Sequence, residues 1–220
     1  MTWIESARLG MFVHWGYLFV EAIREADLKV GFCFSLVDWY HPVFGEESSS
    51  YHFNMFPRPT LQQWSSFCDV MFEQIQELLT NYGQIDIIWF TGSWKRTPQQ
   101  WRADELGQMI RQLQPNILIN DRLPGQGDFA TPNPFAPPQP RQGLWEFYLT
   151  KNDRSNNTDG DNYRLARDIV HTLCEIAGKG GSLQLNVSPM GNGQIPTVQT
   201  ECLHIVAEWM SRHRESIFNI

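Results

Sequence analysis

Five short segments of this 220-residue chain carry residues suited to holding a polar ligand: His14-Trp15-Gly16, Ser35-Leu36-Val37-Asp38-Trp39, Trp89-Phe90-Thr91-Gly92, Asn120-Asp121-Arg122 and Asn186-Val187-Ser188-Pro189. An imidazole and a guanidinium fork both serve hydroxyl groups, and indole rings pack on the apolar faces of sugars. A lone histidine has a plainer use as a structural hydrogen-bonder, and a lone tryptophan as core. Several such residues at the ends of neighbouring strands favour a sugar pocket. The nine tryptophans suit the same reading, although bulk burial also accounts for most aromatic side chains.

The elements that must position these residues are legible in the hydrophobic pattern. Short apolar runs bounded by turn residues alternate with stretches of helical period, which predicts an α/β fold with parallel strands. Strands are expected at 9–15, 30–36, 85–90, 117–120, 144–149 and 183–187. Thr60 with Gln63 forms a capping-box pattern at one helix start, and Thr97, Pro98 and Gln100 repeat the device at the next. Two further helices are expected near 163–177 and 196–212. Strand and helix repeated in this way leave a layered sheet or a (β/α) barrel, and both keep working residues at the carboxyl ends of the strands. Residues 123–142 hold six prolines, as either a loop over the active face or a loose insertion.

These segments also carry a family resemblance. Gly10-Met11-Phe12-Val13-His14-Trp15-Gly16, Ile85-Asp86-Ile87-Ile88-Trp89-Phe90, Ile119-Asn120-Asp121-Arg122, Gly127-Asp128-Phe129, Trp145-Glu146 and Lys179-Gly180-Gly181-Ser182-Leu183-Gln184-Leu185-Asn186-Val187 resemble glycoside hydrolase family 29, the retaining α-L-fucosidases. They come in the family's order and, with the helix that follows them, extend to about Trp209. The resemblance implies a TIM-type (β/α) barrel that binds a terminal L-fucosyl unit of glycans or fucosides, with an aspartate nucleophile, a glutamate acid/base and no cofactor or metal. It also implies that His14, Trp15, Phe34, Trp89, Arg122 and Trp145 are substrate-contact positions, Phe34 standing where the family has a tyrosine.

Two positions depart from the family in chemistry. Where the family reads Trp-Phe-Asp-Gly, this chain has Thr91 in place of the nucleophile. Where the family reads Thr-Pro-Glu, it has Asn133 in place of the acid/base. A threonine hydroxyl supplies no charge to an oxocarbenium-like transition state, and an amide transfers no proton near neutral pH. Asp86 lies about 16 Å before Thr91 at strand rise, too far to substitute. Asp121, Asp128 and Glu146 are nearer, with a structural pairing as the alternative use of each.

The chain is also short. About two strand-helix units of the family are missing after the first strand, which predicts a partial barrel within one domain over residues 1–220. Two open strand edges would then invite a homo-oligomer. Two function classes follow: an α-L-fucosidase working through an unorthodox carboxylate pair and impaired by the loss of the usual one, or a non-catalytic relative, either a pseudoenzyme that binds fucosides or a degenerate remnant.

Other classes are disfavoured. A formal charge of −7 argues against nucleic acid or an anionic membrane as partner. Cys33, Cys68, Cys174 and Cys202 show no CxxC spacing and read as buried free thiols. The Lys179-Gly180-Gly181 turn precedes a strand, the wrong order for cradling a nucleotide phosphate. Met1-Thr2-Trp3-Ile4-Glu5 is no signal-peptide start, so the chain as given is expected in the cytoplasm.

Overall fold

Apolar segments of strand length give the six strands of the computed structural model, which describes residues 3–13, 19–38, 41, 43, 59–132, 140, 142–150, 163–190 and 192–218. In chain order the elements are α1 (Trp3–Ser6), β1 (Leu9–Val13), α2 (Phe19–Glu25), β2 (Gly31–Ser35), α3 (Leu61–Asn81), β3 (Ile87–Thr91), a 3-10 turn (Ser93–Lys95), α4 (Ala103–Leu113), β4 (Leu118–Ile119), β5 (Glu146–Thr150), α5 (Ala166–Gly178), β6 (Ser182–Val187), α6 (Thr197–His213) and a final 3-10 turn (Arg214–Ser216). Each strand overlaps a segment expected from the sequence. All pairings are parallel, and they form two three-stranded sheets ordered β1-β6-β5 and β2-β3-β4. The chain divides accordingly into two units, residues 1–16 with 129–220, and residues 17–128.

In the 17–128 unit, one face of the sheet presents Phe32, Phe34, Ile88, Phe90 and Ile119 to α3 and α4. Helix α3 answers with Phe67, Met71, Ile75 and Leu79, spaced so that each lies on the same stripe. Its start is the expected capping box: the Gln63 N–H donates to Thr60 Oγ1 at 3.2 Å, and the Thr60 N–H to Gln63 Oε1 at 2.9 Å. The second box behaves differently from its sequence reading. Thr97 and Gln100 do exchange the same two bonds, but the turn they close stops at Arg102, which takes φ 52, and α4 begins at Ala103. A left-handed arginine is unfavourable by itself. Here its side chain is held by Asp69 and Glu105 and lies over the Phe72 ring, and the pairing keeps the Glu105 carboxyl below its ordinary range.

In the other unit, Phe147, Leu149, Leu183 and Leu185 pack against Ile169, Leu173 and Ile176 of α5 and Val206 of α6. The opposite sheet face carries Tyr148, Gln184 and Asn186, with Phe12 meeting Tyr148 edge to face at 5.4 Å. Of the four free cysteines, Cys68 and Cys202 are buried as expected, while Cys33 and Cys174 are exposed. Among the described residues, no helix is long and apolar enough to cross a membrane.

Candidate functional site

The carboxyl ends of β2, β3 and β4 form one rim of the 17–128 unit. The Leu36 N–H donates to the Thr91 carbonyl at 2.9 Å, carrying the β2–β3 ladder one step past Ser35. Gly92 then turns the chain with φ 84, and a Cβ there would stand 2.8 Å from Val37 Cγ2, so both conformation and space require glycine.

Strand β4 pairs through only two residues, and Asn120 completes it. Its Oδ1 accepts from the Phe90 N–H at 2.8 Å and its Nδ2 donates to the Phe90 carbonyl at 3.0 Å, so a fully buried side chain acts as a further rung of the sheet.

The loop after β4 folds back over it. The Asp128 N–H donates to the Ile119 carbonyl at 2.7 Å, and the Asp128 carboxylate accepts from the Ile119 N–H and from Arg111. Asp128 is thereby committed to structure. Asp86 is likewise committed at the amino end of β3, where it accepts from the Val30 N–H and the Gln84 amide and pairs with Lys29.

Strand alternation sorts the expected ligand residues. Trp89 and Thr91 share the sheet face turned away from α3 and α4, with Cys33 directly beside Trp89 in the ladder and Ser35 beside Thr91. Arg122 joins them: its guanidinium carbon lies 4.5 Å from the Trp89 ring centroid, within cation–π range.

Phe34 does not join them. It points to the helix side, packed against Phe90 with ring centroids 6.2 Å apart, because a one-residue offset moves a strand residue to the other face. Cys33 and Ser35 are the β2 residues beside Trp89 and Thr91 on the other face. Although Cys33 is exposed as a residue, its thiol is sufficiently surrounded that desolvation pushes it up to about 11, the Arg122 charge acting in the opposite sense. The spacing of two between Cys33 and Ser35 puts them on one face of β2, and the register on β3 brings that face beside Trp89 and Thr91.

Trp145 stands just before the amino end of β5, where its carbonyl accepts from the Ser182 N–H at 3.1 Å and an isolated parallel bridge joins it to Ala130, and it is buried in the core of its own unit. A Cβ on Gly181 would come within 2.4 Å of its ring. Gly181→Ala is therefore expected to dislodge the indole and lower stability by about 1–3 kcal/mol. Urea unfolding followed by tryptophan fluorescence checks this, and an unchanged midpoint would refute it.

Glu146, next in the chain, is buried at the same end of β5. At the carboxyl end of β6, the Asn186 amide donates to Ser188 Oγ at 3.1 Å. Gln199, a residue the sequence reading passed over, clamps the Ser188 backbone through both its amide atoms. His14, Trp15 and Asn133 lie outside the described residues.

The structure thus brings Trp89, Thr91 and Arg122 to one face. A ring wall, a cation and a hydroxyl there suit a neutral polyol, with threonine where a strand-end carboxylate would do chemistry.

Comparison with known proteins places the chain in a family. In structure, the chain is similar to the alpha-L-fucosidase isoenzyme 1 from Paenibacillus thiaminolyticus, with 34% identity and a TM-score of 0.82 over 91% of this chain and 52% of that one. It is also similar to the alpha-L-fucosidase AlfC from Lactobacillus casei in complex with its alpha-L-fucose product, with 27% identity and a TM-score of 0.76 over 89% of this chain and 64% of that one. In sequence, it is 27% identical over 212 residues to the plasma alpha-L-fucosidase of Homo sapiens, which covers 90% of this chain and 43% of that protein. The chain spans under half the length of the curated relatives it matches. The family model described as Alpha-L-fucosidase matches residues 17–215, and the chain belongs to that family.

Proposed function

We propose that this chain binds the terminal L-fucosyl unit of fucosides on the Trp89–Arg122 face and hydrolyses them slowly or not at all. The observation that carries the reading is the Arg122 guanidinium stacked 4.5 Å over Trp89, on the sheet face where Thr91 stands at the nucleophile position. The stack offers a flat apolar wall for the sugar ring and a fork of donors for its hydroxyls. Threonine leaves no ionised oxygen to form the covalent sugar intermediate of a retaining mechanism. By the family resemblance, His14 and Trp15 are proposed as further substrate contacts and Asn133 as the acid/base position.

In this reading both sheets belong to one catalytic-type domain, a (β/α) barrel short of two strand-helix units after β1. The pairing of the first strand with the last, Leu9 to Leu183 through Val13 to Val187, supports it, since barrel closure requires that neighbourhood. A second reading, residual hydrolysis with Asp121 as the carboxylate, is favoured by the place of Asp121 next to Arg122 at the end of β4.

Isothermal titration with L-fucose, run beside a chromogenic fucoside assay, separates the two. Binding without turnover is the expected result, and turnover abolished by Asp121→Asn would select the second reading. Arg122→Ala is expected to weaken L-fucose binding by about tenfold or more, since it removes charge-assisted bonds worth about 1.5–3 kcal/mol each. Unchanged affinity in that variant would remove the Trp89–Arg122 face from the site.

A further inference from the structure

Three residues beyond Thr91, the indole of Trp94 stands 68% exposed on the 3-10 turn that follows β3. Among the residues whose burial is described, it is the one indole, phenyl or phenol ring left exposed. Single exposed apolar side chains are ordinary, so exposure alone says little. The turn beneath it is held by definite contacts. Gly92 starts it in the left-handed conformation its neighbours demand. The fully buried Trp101 donates its Nε1–H to the Ser93 carbonyl at 2.9 Å. Trp101 in turn lies 5.2 Å from Trp64, whose ring carries the Arg96 guanidinium at 4.8 Å. Two tryptophans and an arginine therefore fix the base of a three-residue turn, and the third tryptophan of the group is turned out to solvent at the carboxyl end of β3.

From this placement we propose that Trp94 is a stacking platform for the group attached to the fucosyl unit, the aglycone, and so sets preference among fucosides. The inference rests on the fucose-binding reading above. A rigid, flat apolar surface at the rim suits a sugar ring or an aryl group, either of which presents a face to an indole. With the backbone of the turn held in advance, only the two side-chain torsions of the indole need ordering when a ring stacks on it, which keeps the entropic cost of binding small.

The test uses the full chain and isothermal titration with two probes sharing the same fucosyl unit, methyl α-L-fucoside and 4-nitrophenyl α-L-fucoside. The wild-type chain is expected to bind the aryl fucoside about tenfold more tightly, a gap of about 1.4 kcal/mol. Trp94→Ala is expected to close that gap and leave the methyl fucoside unchanged, while Trp94→Tyr keeps part of it. Equal affinities for the two probes in the wild type overturn the proposal, and so does a Trp94→Ala variant that weakens both equally or neither. Failure of the wild type to bind methyl α-L-fucoside is a separate result, which removes the fucose site itself and the platform with it.

Discussion

The double variant Thr91→Asp with Asn133→Glu is expected to hydrolyse an aryl α-L-fucoside at least about a hundredfold faster than the wild-type chain, since single catalytic groups of this kind are worth orders of magnitude in rate. A retaining glycosidase works through two carboxyl groups about 5–5.5 Å apart, one attacking the anomeric carbon and one protonating the departing oxygen. Position 91 is well prepared for the first of them. Its carbonyl is bonded to Leu36, Gly92 fixes the turn that follows, and its half-buried side chain shares a face with Trp89.

The single variants separate the two roles. A nitrophenolate departs without much help from an acid, so Thr91→Asp alone is expected to release it rapidly. Asn133→Glu alone, lacking a nucleophile, is expected to stay at background. If the double variant also stays at background while L-fucose still binds, the two positions do not straddle the anomeric carbon, and scaffold rather than missing carboxylates limits the chain.

How far the sequence foretells this arrangement depends on which physical signal each residue carries. The strands emerge because apolar runs between turn residues have few other uses, and Asp86 is excluded from the site by strand rise alone. Faces are harder than strands. Phe34 and Cys33 lie one residue apart, and only the register of β2 on β3, which folding sets, puts Cys33 rather than Phe34 on the face of Trp89 and Thr91.

Trp145 is a question of direction. It stands just before Glu146, the first residue of β5, and so at that strand's amino end rather than its carboxyl end, whatever its type. Arg102 shows a limit of local pattern, because a complete capping signal at Thr97 is cut short by a left-handed arginine that only its tertiary partners, Asp69 and Phe72, make tolerable. Asp128 was recognisable as an acid near the rim but not as one already taken, since its partners Arg111 and the Ile119 amide become neighbours only through folding.

Asn120 gives the largest expected loss of stability from one side chain, and its effect reaches the site. Its amide meets both the N–H and the carbonyl of Phe90 in a fully buried position, so Asn120→Ala strips two backbone groups of their partners at once. Each unsatisfied buried group costs about 1–3 kcal/mol, so the variant is expected to lose about 2–6 kcal/mol in urea unfolding. Asn120→Asp tells donor pattern from volume. It keeps the size of the side chain and the acceptor for the Phe90 N–H, but it sets a second oxygen against the Phe90 carbonyl where the amide had donated. If the hydrogen-bond pattern matters, this variant also loses stability, whereas an aspartate variant as stable as the wild type would show that Asn120 merely fills space. Phe90 lies between Trp89 and Thr91, so loosening its two bonds frees the backbone that presents both residues. Asn120→Ala is accordingly expected to weaken L-fucose binding even under conditions where the chain remains folded. A folded variant with wild-type affinity would break the link between this buried rung and the ligand face.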